Sequence, residues 1–311
     1  MISKSATNVN NCSLGLMFTK NARTAWHKII NSVVKDNKRK TRLLLPSYIG
    51  VNEKEGSGVF DAVEKSSADY CFYKLGSNLS VDIDDFERQI QSSNIDIALI
   101  IHYFGFCRSN MERIQQVCHN NDVLLVEDCA HAFHLGIKNQ IIGNYGDFSF
   151  YSIHKYLATT SGGILKKNNT SLKISSLTTE EKIEHSVLEV FANSDFEKIA
   201  NIRRMNYSKY HDLLSSDDNI EIMFDLTQID IPQTFPLRIK NGLREKLYFY
   251  LLENEMPTVA LYYRMINQID LDYFYLSRDI SSEILNLPVH QDTTIDDIEA
   301  LSSKINGFFK N

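Results

Sequence analysis

The sequence predicts an α/β fold in which a mostly parallel central sheet is flanked by helices and followed by a smaller C-terminal α/β domain. Two runs of strand length, residues 95–101 (IDIALII) and 123–127 (VLLVE), are almost entirely apolar, as strands buried on both faces are. Stretches with helical spacing alternate with such runs. From about residue 200 the elements become shorter and polar loops separate them. We therefore predict a large domain over residues 1–200 and a small domain over residues 201–311.

The N-terminal half alternates helices and strands in a regular order. Residues 21–37 (NARTAWHKIINSVVKDN) carry apolar side chains at helical spacing, and Asp82 can cap the first turn of a second helix over residues 80–91. A further helix is predicted at residues 110–121. Five strands are predicted at residues 42–49, 70–75, 95–101, 122–130 and 147–155.

The C-terminal half continues the alternation with shorter elements. Its first element is a polar helical stretch, residues 177–214. Strand and helix runs then follow at residues 220–224, 231–239, 243–253, 257–263 and 295–309.

Composition and charge argue against several classes of function. The 311 residues carry a formal net charge of −6, which gives no electrostatic reason to expect nucleic acid or an anionic membrane as a partner. No apolar run is long enough to span a bilayer, and the polar start MISKSATNVNNCS lacks the layout of a signal peptide. The five cysteines are scattered and never in a C-x-x-C spacing. We expect a cytoplasmic protein with reduced thiols.

Candidate functional residues cluster where predicted parallel strands end. His102, Glu127 and Asp128 stand at the ends of two buried strands, and ligands bind at the carboxyl ends of such strands. A carboxylate of Asp128 buried at this edge needs a cationic partner. Lys155 follows the next predicted strand, so its side chain can reach the same crevice.

The pair of Lys155 and Asp128 points to pyridoxal phosphate chemistry. A lysine held among apolar groups has a lowered pKa, and its neutral amine can form a Schiff base. Pyridoxal phosphate enzymes need such a lysine and a carboxylate that keeps the ring nitrogen protonated. The hydroxyl groups of Ser149 and Ser152 could bind the phosphate. Tyr48, at the end of an apolar run, is our candidate for the aromatic side chain that stacks on the pyridine ring.

Simpler structural roles are open for several of these residues. Asp128 could cap a helix that starts in CAHAF, and His102 could be a hydrogen-bonded core residue. His131 and His134 are three positions apart and could share a helical face with Asp128, which raises a metal site as an alternative. No third ligand stands at a characteristic spacing, so we predict no metal.

Two ordered segments resemble a known family. Residues 126–134 (VEDCAHAFH) and 146–163 (GDFSFYSIHKYLATTSGG) resemble the E-D-x-A-[QH] stretch and the S-F…K…G-G segment of the DegT/DnrJ/EryC1/StrS sugar aminotransferases. Further segments follow the family's order: IIHYFGF, RRMNYSKYHDLL, TFPLRIKNGLREKLYFYLLENEMPT and ILNLPVHQDTTIDDI. The resemblance covers most of the chain and implies the type I fold of pyridoxal phosphate-dependent transferases, the aspartate aminotransferase type.

By position in these motifs, the resemblance implies roles for individual residues. Lys155 is the Schiff-base lysine and the general acid and base, and Asp128 is the partner of the pyridinium nitrogen. His131 takes the place of the residue that contacts the pyridine oxygen. Ser149 matches the phosphate-binding serine, but it precedes the lysine by one residue more than in the family, so Ser152 competes for that role.

The chain departs from the family at three places. The first helix lacks the usual Gly-Thr/Ser phosphate motif and reads TKNARTAW, which leaves Arg23 and Thr24 as substitutes. Ser161 stands where an acidic residue usually precedes the Gly-Gly pair, and the substrate-binding loop after Gly163 is shortened. Differences from the family are therefore expected at the phosphate and at the substrate.

The function implied by the resemblance is that of an aminotransferase in polysaccharide (such as O-antigen) or antibiotic sugar biosynthesis. An amino acid donor, glutamate, passes its amino group to the cofactor, and a nucleotide-linked keto sugar then receives it, with Lys155 moving the proton. The active unit expected is a homodimer. One alternative is a sugar dehydratase of the same fold, although the dehydratases compared carry histidine at the position of Lys155. The other is a binding or regulatory homologue that has lost the activity.

Overall fold

Parallel strands form the centre of the fold. The computed structural model describes residues 15–53, 56–133, 135, 141–214, 218–256 and 258–310. The larger sheet consists of β1 (Leu16–Thr19), β2 (Arg42–Pro46), β3 (Asp69–Tyr73), β4 (Ile97–Ile101), β5 (Leu124–Cys129), β6 (Phe148–Ser152) and β7 (Gly163–Lys167). Their order across the sheet is β1-β7-β6-β5-β4-β2-β3. Strands β2 to β6 pair in parallel, whereas β7 and β1 are antiparallel, so the predicted mostly parallel sheet is confirmed.

Helices cover both faces of this sheet. They are α1 (Ala22–Asp36), α2 (Phe60–Glu64), α3 (Ile83–Ser92) and α4 (Met111–Asn120). The predicted cap is confirmed, because the Asp82 side chain accepts a hydrogen bond from a first-turn backbone N–H of α3. The strand registers place Phe150 and Tyr73 on opposite faces of the sheet. Trp26 of α1 stacks on Phe150, and Phe86 of α3 packs against Tyr73.

The C-terminal part contains a second, smaller sheet, as predicted. Its three antiparallel strands lie in the order β10 (Ile284–Pro288), β9 (Thr234–Ile239) and β8 (Ile220–Ile222). The helices in this part of the chain are α5 (His185–Ala192), α6 (Phe196–Leu213), α7 (Arg244–Glu253), α8 (Tyr275–Glu283) and α9 (Ile295–Lys310). Helix α6 packs against both β9 and α9.

The prediction of one continuous helical stretch over residues 177–214 was wrong. The structure has a 3₁₀ turn and then two helices, α5 and α6, with a break at Asn193 and Ser194. Asp195 caps α6 by accepting a hydrogen bond from the backbone N–H of Lys198. Short polar side chains compete with helical backbone hydrogen bonds, so this run ends one helix and starts the next. The domain boundary predicted at residue 200 falls inside α6.

Candidate active site

The candidate site lies at the carboxyl ends of β4, β5 and β6. The register pairs Ile101 with Asp128 and Asp128 with Phe150, so these side chains project to one face of the sheet. Ser152, two residues beyond Phe150, shares that face. Ser149 pairs with Glu127 and projects to the opposite face. The two serines that compete from the sequence are thus on different sides of the sheet.

Asp128 is a buried carboxylate that accepts a backbone hydrogen bond. Its side chain is 4% exposed, and its Oδ1 accepts a hydrogen bond of 2.8 Å from the backbone N–H of Ala130. Burial raises the pKa of Asp128 to about 6, although the Ala130 N–H and the charges of Lys155 and His102 act in the opposite direction. No helix begins at residues 129–133, so the alternative role of Asp128 as a helix cap is wrong. A cationic ligand would remove the penalty of its burial.

Lys155 lies in the turn that follows β6, the strand that pairs with the Asp128 strand β5. Its ammonium charge lowers the pKa of Asp128 and the pKa of His131, so it acts on both residues. The backbone carbonyl of Lys155 accepts a hydrogen bond of 3.2 Å from the Arg203 guanidinium. Lys155 and Asp128 therefore lie close enough for an electrostatic effect, and their chemical roles stay a prediction.

His131 is buried next to this pair. The backbone N–H of Phe104 donates to His131 Nδ1 at 3.4 Å, and the two rings stack with centroids 5.9 Å apart. Burial lowers the pKa of His131 well below its ordinary value, and the charges of Lys155 and His154 lower it further. The imidazole is therefore neutral at physiological pH.

The N-terminus of α1 lies at the same edge of the sheet. Ser152 pairs with Gly163, and a Cβ on Gly163 would lie 2.2 Å from the backbone carbon of Asn21, so only glycine allows α1 to come this close. The first turn of α1 carries no acidic residue. A helix N-terminus with no acidic residue in its own first turn favours an anion such as a phosphate.

The two predicted phosphate ligands of α1 already have partners on the protein. Arg23 forms an ion pair of 3.0 Å with Asp61. The hydroxyl of Thr24 donates to Asn21 Oδ1 at 3.0 Å, where Asn21 also caps the helix. Both residues lie at the helix N-terminus, as predicted, and their side chains would have to change partners to bind a phosphate.

Ser149 and His102 belong to a hydrogen-bonded cluster on the opposite face. The Ser149 hydroxyl donates to the Gly143 carbonyl at 3.0 Å and lies 3.2 Å from Tyr151 Oη. His102 Nε2 is 2.8 Å from Glu127 Oε2, and both side chains are buried. Burial acts to lower the pKa of His102, but Cys107 and Glu127 outweigh it and raise that pKa to about 10. His102 is thus a paired core residue.

A metal site finds little support at this edge. Among the described residues, His102, Glu127 and Cys129 have ligand atoms within 4.8 Å of one another. Glu127 already accepts hydrogen bonds from His102 and from the backbone N–H groups of Gly143 and Gly146. The alternative metal site considered for His131 depends on a second histidine, His134, that lies outside the described residues.

Tyr48 lies in an aromatic cluster in front of the site. It is fully buried and stacks on Tyr262, with ring centroids 5.3 Å apart and an interplanar angle of 18°. Tyr262 also packs edge-to-face against His131 at 5.6 Å. Tyr262 was missed by the sequence analysis, because only the folded chain brings the segment after α7 to β2 and β5.

Arg203 is a second residue that the sequence analysis did not single out. It is 1% exposed and donates to the carbonyls of Pro232, Gln233 and Lys155. Its guanidinium lies over the Tyr156 ring, 4.3 Å from the ring centroid. Arg203 is the first residue of the family-like segment RRMNYSKYHDLL, but no pattern in the sequence indicated what its side chain contacts.

Comparison with known proteins identifies one family model that matches part of the chain. Residues 68–179 match the model of the DegT/DnrJ/EryC1/StrS aminotransferase family. The resemblance to this family is thus confirmed. The matched segment contains five of the predicted site residues, namely Asp128, His131, Ser149, Ser152 and Lys155.

Curated relatives align with this chain over only a part of their own length. GDP-perosamine synthase of Escherichia coli O157:H7 is 29% identical over 94 residues, 30% of this chain and 25% of that protein. The spore coat polysaccharide biosynthesis protein SpsC of Bacillus subtilis (strain 168) is 37% identical over 78 residues, 24% of this chain and 20% of that protein. The aligned part of this chain therefore spans about a quarter or less of these relatives.

Solved structures extend the likeness to the whole fold. PseC of Helicobacter pylori, an aminotransferase involved in the biosynthesis of pseudoaminic acid, has a TM-score of 0.77 at 12% identity and covers 95% of this chain and 86% of its own. A DegT DnrJ EryC1 StrS aminotransferase from Brucella abortus has a TM-score of 0.76 at 15% identity, with the same coverage. The predicted type I transferase fold is confirmed. Within the described ranges, no helix is both long and apolar enough to cross a bilayer.

Proposed function

We propose that this chain is a pyridoxal phosphate-dependent aminotransferase that acts on a nucleotide-linked keto sugar. The observation that carries the proposal is the position of Lys155, whose charge acts on both Asp128 and His131 at the carboxyl edge of the sheet. A lysine amine beside a buried carboxylate is the pairing that this cofactor requires. The family match over residues 68–179 supports the same assignment.

The side chains at this edge fit the different parts of the cofactor. Asp128 would pair with the protonated ring nitrogen, since a buried carboxylate with a raised pKa gains most from a cationic partner. His131, held neutral, would form a hydrogen bond with the ring oxygen. Ser152 and the N-terminus of α1 would hold the phosphate, because both lie on the side of the sheet that carries Asp128. This arrangement favours Ser152 over Ser149.

Lys155 would hold the cofactor through its amine and move the proton during the reaction. Bound pyridoxal phosphate supplies a ring that withdraws electrons from the Cα of the amino acid and so weakens its C–H bond. Lys155 would take this proton from Cα and return it to the C4′ carbon of the cofactor, on the other side of the amino nitrogen. Arg203 would keep the lysine in place through the hydrogen bond to its backbone carbonyl.

The substrates in this proposal are glutamate and a keto sugar linked to a nucleotide. Support comes from the names of the relatives, two of which are GDP-perosamine synthases and one a spore coat polysaccharide biosynthesis protein. A homodimer and a cytoplasmic location complete the proposal as predictions. The sugar dehydratase is disfavoured because Lys155 is present and acts on Asp128.

The two halves of the reaction can be tested separately. Protein loaded with pyridoxal phosphate is mixed with glutamate, and absorbance follows conversion of the aldehyde form of the cofactor to its amine form while 2-oxoglutarate appears. Nucleotide-linked keto sugars are then added to the amine form, and mass spectrometry detects the aminated sugar. Aspartate, glutamine and alanine serve as alternative donors. Cofactor uptake without either half-reaction would contradict the aminotransferase and favour the binding homologue.

A further inference from the structure

The segment of residues 258–266 crosses the front of the candidate site. Near its start, Val259 pairs with Asn286 of β10. Near its end, Met265 pairs with Gly50, and the backbone N–H of Ile266 donates to the Ile49 carbonyl at 3.0 Å. The segment therefore bridges the small sheet and the loop that follows β2.

Tyr262 projects from the middle of this segment into the site. Its ring packs against both the Tyr48 ring, 5.3 Å away, and the His131 ring, 5.6 Å away. Phe104 packs edge-to-face against it at 5.9 Å. Burial raises the pKa of the Tyr262 phenol, and the charge of the Asp128 carboxylate raises it further. Tyr262 thus packs against three rings at the site and lies within the electrostatic reach of Asp128.

Three of these neighbours are the proposed contacts of the cofactor ring. A pyridine ring held by Tyr48, Asp128 and His131 would need the space that Tyr262 fills beside them. Two rings cannot occupy it together. Building on the proposed function, we propose that residues 258–266 form a gate, the Tyr262 gate, which must move Tyr262 aside before pyridoxal phosphate binds.

Two local features of Tyr262 favour its displacement, and Gly50 offers a way to test it. Tyr262 has a φ of 62°, a left-handed backbone conformation that bulky side chains rarely adopt. The Tyr48 hydroxyl lies 3.5 Å from the Tyr262 carbonyl, at the long limit of a hydrogen bond. Gly50 packs directly on the ring, since a Cβ at that position would lie 2.7 Å from Tyr262 Cδ1. A single methyl group at residue 50 would therefore push the ring out.

A closed gate has a kinetic consequence. If only a fraction of the molecules is open, the dissociation constant measured is the intrinsic value divided by that fraction. The association rate then levels off at high cofactor concentration, because gate opening becomes limiting. Removal of the Tyr262 ring should abolish the plateau and tighten binding.

Pyridoxamine 5′-phosphate is the suitable probe, because it needs the ring and phosphate sites but forms no bond with Lys155. Stopped-flow fluorescence follows its binding to the cofactor-free full-length chain. We expect a saturating rate for the wild type and, for Tyr262→Ala and Gly50→Ala, a rate that rises linearly and an affinity that is about tenfold higher. Tyr262→Phe should keep the plateau, because the ring is retained. Tyr263→Ala is the matched control, since Tyr263 is 50% exposed.

The outcomes separate the gate from the proposed function. Binding to the wild type with no change in Tyr262→Ala would overturn the gate and leave the cofactor assignment standing. Weaker binding in Tyr262→Ala would also overturn it, because Tyr262 would then be a wall that contacts the bound cofactor. Binding to Tyr262→Ala alone would support the gate in its strongest form. No binding to any of these proteins would contradict both proposals.

Discussion

Lys155 and Asp128 act on each other at the carboxyl edge of the central sheet. Burial raises the pKa of the Asp128 carboxyl group to about 6, and the ammonium group of Lys155 opposes that rise. Asp128 lies on β5, and Lys155 lies in the turn after β6, which pairs with β5 in parallel. The site therefore combines a buried carboxylate with a nearby amine, the pair that pyridoxal phosphate requires.

The raised pKa of Asp128 predicts a pH dependence of stability. The folded protein retains the Asp128 proton up to about pH 6, whereas the unfolded chain loses it near pH 3.8. Stability from this residue is therefore fully present below pH 3.8 and is lost as pH rises towards 6. The loss is on the order of 3 kcal/mol at pH 7. Urea unfolding of the cofactor-free protein at pH 4, 5, 6 and 7 measures it.

Asp128→Asn is the variant that isolates this contribution. The amide keeps the acceptor for the Ala130 N–H but carries no titrating charge. Its unfolding free energy should fall less than that of the wild type between pH 4 and 6. Parallel pH profiles for the two proteins would show that Asp128 titrates normally and that its burial has no electrostatic cost.

Lys155 should set the pH range of that transition. Lys155→Ala removes the cation that lowers the Asp128 pKa, so the loss of stability should extend above pH 6. Lys155→Arg keeps the charge and should leave the transition where it is. Both variants should lack transamination, because guanidinium and methyl groups cannot replace the amine. Turnover by Lys155→Arg would show that the reaction does not need the Lys155 amine.

The two serines of β6 should differ in their effect on the phosphate. Ser152→Ala should weaken pyridoxal phosphate binding about tenfold, the value of one hydrogen bond to a charged group. Ser149→Ala should leave that affinity unchanged, because its hydroxyl is bonded to Gly143 on the opposite face. Pyridoxal without the phosphate is the control ligand, and both variants should bind it like the wild type. The reverse pattern would assign the phosphate to Ser149.

Arg203 should position Lys155 and stabilise the fold. Arg203→Met fills similar space but leaves the carbonyls of Pro232, Gln233 and Lys155 without their donor. Unfolding free energy should fall by about 3 kcal/mol, the typical cost of buried groups that lose their partners. In the folded fraction kcat should fall while KM changes little, since the lysine moves and the substrate contacts do not.

Arg204→Met is the matched control for Arg203→Met. Arg204 is the next residue of α6, is partly exposed and donates to the Asp230 carbonyl at 2.8 Å. Its replacement should cost less stability and leave kcat unchanged. Equal effects on kcat in both variants would mean that Arg203 acts through helix stability alone.

The fold could be predicted because its physical signal is local. Apolar runs such as residues 97–101 identify strands buried on both faces, and helical spacing identifies α1, α3 and α4 between them. The break between α5 and α6 was missed, although the Asn193 to Asp195 run contains cap residues. Helix α8 was not predicted either, because its stretch has no pronounced start signal.

The site could be predicted only where neighbouring strands bring residues together. Asp128 and Lys155 follow adjacent runs in the chain, so their proximity follows from a parallel sheet. The choice between Ser149 and Ser152 depends on the strand register, because a shift of one residue exchanges the faces. Tyr262 reaches the site from more than a hundred residues away, and no local pattern identifies such a contact.

Reduction with borohydride tests the central claim most directly. The protein is loaded with pyridoxal phosphate, reduced, digested and mapped by mass spectrometry. A single modified peptide that contains Lys155 is expected, and Lys155→Ala should yield none. Modification spread over exposed lysines such as Lys40, or a protein that takes up no cofactor, would contradict the assignment of Lys155.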